Sequence, residues 1–269
     1  MRAPIRGRYS GRTDLLIGLT GIGTLVICWS LATYGGFVDR IFLPSDTHIR
    51  TFLPSPTDIW AGIVDLNEKQ WLLPSIWVSF RRVSVSLSLV ILIGVPLGVA
   101  MGTSPSADAF LRRIVDGAKS VPTTGLIGLT VLWFGIEERA KVFFLFLGAI
   151  FYMIVLVKNA VRDVSEHYLR VAVDLGATRS QLIGRVLLPG ALPRIWDAIA
   201  VCNGIMWTYI LLAEWINSNA VQLGLGYLLW IGSRTNSPGQ VFAILIIIAI
   251  ISALTDSLLR LVRSLWLNW

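Results

Sequence analysis

VSVSLSLVILIGVPLGVAMGTSPSA, residues Val83 to Ala107, runs for 25 positions without an Asp, Glu, Lys or Arg. A helix needs about 20 apolar residues to cross the roughly 30 Å hydrocarbon core of a bilayer, so this stretch alone is long enough. Backbone groups find no water in hydrocarbon, which restricts a spanning segment to a helix or to a strand of a closed barrel. Barrel strands alternate apolar and polar residues over about ten positions, whereas the stretch from Val90 to Met101 is continuously apolar. Helix is therefore the expectation.

The rest of the 269-residue chain repeats the pattern. It is 55% hydrophobic and 14% charged, with a mean hydropathy of +0.70, against about 25% charged residues in an ordinary soluble domain. A water-soluble globule is excluded. Charge-free runs extend over Leu15–Val38, Val83–Ala107, Ser120–Ile136, Val142–Val157, Ala198–Ala213 and Thr235–Thr255, which predicts an all-α, polytopic bundle of six transmembrane helices. The fourth and fifth runs have 16 residues each, roughly 24 Å of helix. Lys141 and Lys158 are expected to snorkel from the ends of the fourth, and Ala191–Ile216 forms a longer envelope for the fifth. The third run is interrupted by Pro122, Gly125 and Gly128. Trp215–Ser233 is also free of charge but carries Asn217, Ser218, Asn219, Gln222 and three glycines, and so reads as a loop with room for a short re-entrant turn.

Lys and Arg set the expected orientation. With six spans, Arg2, Arg6, Arg8, Arg12, Arg112, Arg113, Lys119, Lys158, Arg162, Arg170, Arg179, Arg185, Arg194, Arg260 and Arg263 share one side. The other side holds Arg40, Arg50, Lys69, Arg81, Arg82, Arg139, Lys141 and Arg234. The richer side is cytoplasmic by the positive-inside rule, and both termini lie there. The net charge of +7 follows from topology; spread over four segments without interleaved aromatics, it does not make a nucleic-acid surface. Leu15–Leu31 behind its arginines resembles a signal peptide, but its length and the absence of a small-residue cleavage site favour a retained anchor. Cys28 and Cys202 both fall inside spans and suggest neither a disulfide nor a metal site. His48 and His167 fall on opposite sides, so they cannot share a metal or a catalytic dyad.

One cytoplasmic loop has internal order. In SEHYLRVAVDLGATRSQLIGRVLLPGALPRI, Ser165 to Ile195, Tyr168, Ala172 and Leu175 share one helical face, as do Leu182, Val186 and their neighbours. Gly176 is placed to stop the first helix in a left-handed conformation, and Thr178 with Gln181 makes a capping box that starts the second. Pro189 and Pro193 are expected to end that second helix. On periodicity alone, two amphipathic helices lying along the headgroups would serve equally well.

Ala172, Gly176, Val186, Leu188 and Pro189 match in spacing a known signature: Glu-Ala-Ala, three residues, Gly, nine residues, Ile, one residue, Leu-Pro. Arg170 and Val171 stand where its Glu and first Ala would be. The loop resembles that of permease subunits of bacterial ATP-binding-cassette importers. FLPSPTDIW from Phe52, Ser79–Arg82, GVPLGVAMG from Gly94, KSVP from Lys119, VLWFGI from Val131, the Glu214 region, GLGY from Gly224 and Asp256 are similar to their nitrate, sulfonate, taurine and bicarbonate branch. Where that branch has a second proline in span three, this chain has GLIGLT from Gly125.

The resemblance implies a type I importer bundle in the bacterial inner membrane. A cytoplasmic segment over residues 1–13 would precede a permease domain over 14–269, with its core at about 76–264 and the coupling loop at about 158–190. Ala172, Leu175, Gly176, Ala177, Thr178, Gln181, Leu188 and Pro189 would meet a separate ATPase. The implied assembly has two ATPase subunits, a second permease subunit (a homodimer, or a paralogue), and an external solute-binding protein. The solute would be a small anion such as nitrate, bicarbonate or a sulfonate. The chain has no G-x-x-x-x-G-K-[ST] phosphate cradle, so no cofactor and no catalysis are expected in it; ATP and magnesium would bind the partner.

Ionisable residues within spans are costly and tend to be functional. Asn203, Trp207, Ile210 and Glu214 fall on one helical face directed into the bundle, which makes Asn203, Trp207 and Glu214 candidates for the translocation path. Glu214 is either an outer gate or a carboxylate paired with a cation such as Arg234. Asp256 reads as an interfacial or helix-pairing residue. Trp60, Trp71, Trp133, Trp207, Trp215, Trp230, Trp266 and Trp269 flank span ends, as an interfacial aromatic belt requires. An ion-driven secondary transporter is the competing class; it would need paired intramembrane charges and internal repeats.

Overall fold

Why the apolar runs become helices is visible in the computed structural model, which describes residues 11–35, 52–69, 71–215 and 223–266. Arg2, Arg6, Arg8, Arg40, His48, Arg50, Asn217, Ser218, Asn219, Gln222 and Trp269 lie outside the described residues. Among those described, every regular element is helical: α1 (Gly11–Tyr34), α2 (Pro56–Glu68), α3 (Leu72–Thr103), α4 (Pro105–Lys119), α5 (Leu126–Phe134), α6 (Glu138–Arg162), α7 (Glu166–Asp174), α8 (Arg179–Trp215), α9 (Leu225–Arg234) and α10 (Pro238–Trp266).

Five of these, α1, α3, α6, α8 and α10, are long and apolar enough to cross a membrane. The third charge-free run is shorter in the fold. Pro122 is followed by a 3-10 turn over Thr123–Gly125 and then the nine-residue α5, stopped by Gly135 at φ 66°. At about 14 Å this helix does not cross by itself. The stretch expected to be a loop after Trp215 contains α9, ten residues long, whose Leu225, Leu228 and Leu229 are buried. Packing of that apolar face onto α8 and α10 overrides the glycine-rich, loop-like composition.

Alpha3 has 32 residues, about 48 Å, and so exceeds the hydrocarbon thickness. It begins ahead of the charge-free run and takes in Arg81 and Arg82. Its axis runs close along α6 because Gly94, Gly98 and Gly102 recur at every fourth position. A Cβ on these glycines would lie 2.8 Å from Met153 Cγ, 2.7 Å from Val157 Cβ and 2.7 Å from Val161 Cβ respectively. On α6, Leu145, Ala149, Met153 and Val157 form a fully buried stripe at the same spacing. Alpha8 covers its other side with Cys202, Met206 and Ile210. Alpha2 packs on α10 through Gly62 and Gly239, and α1 stands at the periphery, tied in where Trp29 Nε1 donates to the Pro54 carbonyl at 3.1 Å.

Three further expectations are corrected. Lys141 and Lys158 do not snorkel to headgroups: Lys141 is buried 3.8 Å from Glu138, and Lys158 sits 2.7 Å from Asp108. Each ammonium has a carboxylate within ionic range inside the protein, at hydrogen-bond distance for Lys158. Trp207 does not belong to the belt, being fully buried. Pro189 and Pro193 do not end a helix, because α8 continues through both to Trp215. A proline lacks the N–H and displaces the carbonyl four residues back; for Pro189 that is Arg185, which lies in a π-helical stretch, Leu182–Leu187, where the ladder is already rearranged.

Candidate functional site

Two ends of the bundle carry ordered polar structure. A short helix marks each of them, α7 at one end and α9 at the other.

At the α7 end, the chain leaves α6 and turns into α7 under Ser165, whose side chain caps the helix by accepting from His167 N–H. Alpha7 stops in a left-handed turn. Gly176 has φ +79°, its N–H donates to the Val173 carbonyl at 2.8 Å, and the Ala177 N–H reaches back to Ala172 at 2.9 Å. This pair of hydrogen bonds is the helix stop in which glycine is favoured because a Cβ is penalised. Alpha8 then starts with the expected box. Thr178 N–H donates to Gln181 Oε1 at 2.8 Å, and Gln181 N–H donates to Thr178 Oγ1 at 3.4 Å. Ala172, Leu175, Gly176, Ala177, Thr178 and Gln181 therefore form one rigid elbow, with Leu188 and Pro189 following beyond the π stretch. Tyr168, Val171, Val173 and Leu175 are exposed, Leu175 at 83%. Between α7 and α8 lies a groove of about 680 Å³ bordered by Tyr168, Ala172, Leu175, Val186 and Gly190.

At the same end, where α4 begins and α6 finishes, sits a cluster that the sequence does not reveal. Asp108, in the first turn of α4, is 1% exposed and is surrounded by cations. Lys158 Nζ and Arg162 Nη2 approach it from α6 at 2.7 Å each, and Arg112 pairs with it from its own helix. The Arg112 guanidinium, with Lys158 and Arg162, holds the Asp108 carboxyl well below the usual carboxylate range, and Asp108 raises Arg112 in turn. Asp163 pairs with Arg194, and Asp197 with Arg263 at 2.6 Å, so α6, α8 and α10 are cross-braced at the same end. Asp256 pairs with Arg260 one turn along α10.

At the α9 end, Glu214 is 1% exposed and its partner is not Arg234 but Arg82, 3% exposed and 2.7 Å away. Arg234 instead stands 5.3 Å from the centre of the Trp230 ring. Arg82 is divided between two acids. Nη1 serves Glu214 and the Leu223 carbonyl (2.9 Å), while Nε donates to Glu138 Oε2 at 2.8 Å and Nη2 pairs with Glu138 Oε1. Ser79 Oγ donates to Glu214 at 2.8 Å, and Gly226 N–H donates to it at 2.8 Å from the first turn of α9. Gly224, at φ +147°, admits this contact, since a Cβ there would lie 2.6 Å from the Glu214 carboxyl carbon. Asn203 and Trp207, further along α8, are also enclosed within the protomer. Asn203 Nδ2 donates to Thr255 Oγ1 at 3.0 Å, and Trp207 Nε1 has no hydrogen-bond partner. The sequence carries only half of the signal for the Arg82 network: Arg81 and Arg82 abut one charge-free run and Glu214 abuts another, so each needs a partner or water, but neither names the other. Among the described residues, no group of three or more His, Cys, Asp or Glu could hold a metal ion.

The sequence that builds this helical bundle matches a known family. The profile of the binding-protein-dependent transport system inner membrane component covers residues 94–266. The chain belongs to this family. It is thus a multi-pass transport permease of the inner membrane. Its relatives include the taurine transport system permease protein TauC of Escherichia coli, 30% identical over 98% of this permease and 92% of that protein. The putative aliphatic sulfonates transport permease protein SsuC of Bacillus subtilis is 31% identical over 100% of this permease and 91% of its own length. The bicarbonate transport system permease protein CmpB of Synechocystis is 23% identical over 91% and 86%. Among solved structures, a chain of the inward-facing MetNI methionine ABC transporter superimposes with a TM-score of 0.60 at 21% identity, covering 75% of this permease and 97% of that chain. That likeness carries the fold.

Proposed function

We propose that this permease imports a small oxyanion, a sulfonate or a carbonate species, delivered by an external binding protein, and that two separate ATPase subunits drive it through the α7 elbow. ATP and magnesium belong to those subunits, and the permease performs no catalysis. The α7 end faces the cytoplasm, where the excess of Lys and Arg lies. A second permease, an identical copy, completes the path. The observation that carries this reading is the elbow itself. Apolar Leu175, Tyr168, Val171 and Val173 stand exposed on a helix fixed by Gly176 and Thr178, a stiff surface suited to being pushed. The relatives named for taurine, sulfonates and bicarbonate support the anion class. Asn203, Trp207 and Glu214 act in this scheme as packing and anchoring groups of one protomer, with Glu214 seating α9.

The test is co-reconstitution with the ATPase and binding protein in liposomes. ATP-dependent uptake is expected only from the full assembly. Gly176→Pro should abolish it while membrane insertion persists, because proline cannot adopt φ +79° and loses the N–H bonded to Val173. Uptake by the Gly176→Pro protein, or uptake without the ATPase, would defeat the proposal.

A further inference from the structure

The α9 end contains an open cavity of about 610 Å³, within the size range of small-molecule sites, where Arg81, Arg82, Arg139 and Lys141 meet Glu137 and Glu138. The two acids that flank Arg82, only one of which borders the cavity, are unequal. Glu214, behind Arg82, is sealed in; Glu138, in front, is 49% exposed. Glu138 presents both oxygens to the Arg82 fork, while Arg81 Nη2 and Lys141 Nζ each stand 3.8 Å from it, within ionic attraction but beyond a hydrogen bond. Arg81, Arg82 and Lys141 against Glu138 and Glu214 leave one positive charge. A sulfonate or bicarbonate offers the same two-oxygen edge as a carboxylate, the shape a guanidinium recognises.

We propose that this cavity is an oxyanion site of the permease itself, in which the acidic group of the solute takes the place of the Glu138 carboxylate between Arg82, Arg81 and Lys141. Glu138 is the resident stand-in: half in water, it can swing out and be solvated, which Glu214 cannot. Arg82 keeps its bond to Glu214 throughout, so α9 stays seated while the outer half of the fork changes partner. The site rests on the anion reading above and deepens it.

The experiment uses the full chain in nanodiscs of neutral lipid, with methanesulfonate and bicarbonate as probes and NMR line broadening of each probe as the readout. Glu138→Gln removes the competing charge from about 4 Å and should tighten methanesulfonate about tenfold. Lys141→Met should abolish broadening, and Lys141→Arg should restore it. Arg81→Met, at a half-exposed position that leaves the fold alone, should weaken binding about fivefold. Broadening unchanged in Glu138→Gln and in Arg81→Met would overturn the site. The parallel uptake assay separates the two claims. Sulfonate import with no anion effect from these variants sinks the site and leaves the function; the variant pattern without import of any oxyanion sinks the function and leaves the site.

Discussion

Replacing Arg82 by methionine removes the cation that neutralises Glu214, and the structure fixes what that should cost. Glu214 would keep Ser79 and the Gly226 N–H, two neutral donors, and lose its charge-assisted bond in a place water does not reach. A buried pair broken on one side costs about 3–5 kcal/mol. The converse change is milder. In Glu214→Gln, Arg82 keeps its bidentate contact with half-exposed Glu138, and the amide can still accept from Ser79, so the cost should be about 1–2 kcal/mol. At about 2–4 °C per kcal/mol for a chain of this size, Arg82→Met should unfold at least about 6 °C below wild type, with Glu214→Gln in between. Detergent-solubilised protein followed by tryptophan emission during heating reads both, and the double variant Arg82→Met/Glu214→Leu should recover much of the loss. Equal effects from the two single changes, or no change in either, would refute the assignment of Glu214 as a buried anchor.

Other changes test other elements. Gly98→Ala should cost about 1–3 kcal/mol, since its methyl would meet the Ile154 carbonyl at 2.8 Å as well as Val157; Gly94→Ala should cost less, since its nearest contacts are the side chains of Met153 and Ile150, as thermal unfolding of the two would show. Asp108→Asn removes the ionic link between α4 and α6. The folded carboxyl titrates below its unfolded value of about 3.9, so its stabilisation is complete above that value and disappears as pH falls through the folded one. The wild-type advantage over Asp108→Asn should therefore be flat from pH 8 to about 5 and shrink only below about 4; an advantage that decays between pH 7 and 5 contradicts the cluster. Leu175→Glu should leave thermal stability unchanged, because the side chain touches little, and weaken co-purification of the ATPase.

Local chemistry was readable from the sequence, and long-range pairing was not. Thr178 and Gln181 are three residues apart, and Gly176 needs only its own backbone to stop α7, so the elbow could be drawn in advance. The spans were legible because hydrocarbon imposes length and the exclusion of charge. Arg82 and Glu214 are 132 residues apart, and nothing within either helix names the other, so the sequence allows Arg234, on the same side, equally well as the partner. Lys141 and Lys158 differ from expectation for the same reason: snorkelling is what an end-of-span lysine does when no carboxylate is folded against it. Pro189 escapes the rule because proline statistics describe an ordinary ladder and a π stretch, Leu182–Leu187, lies immediately before it; Pro193 sits inside the regular helix, and no local feature explains its tolerance there.

That stretch also governs where the chain can change length. Glu214 faces Arg82, and Thr178 caps the opposite end of the same 37-residue rod, so the rod sets the angle between them. A residue removed at Ala200 would rotate everything beyond it by about 100° and turn the carboxylate away from its arginine. One removed within residues 182–187 would relax the wide turn to an ordinary α-helix and leave the phase intact. The rod thus carries its own slack at the one place where a single deletion is absorbed without twisting the far end.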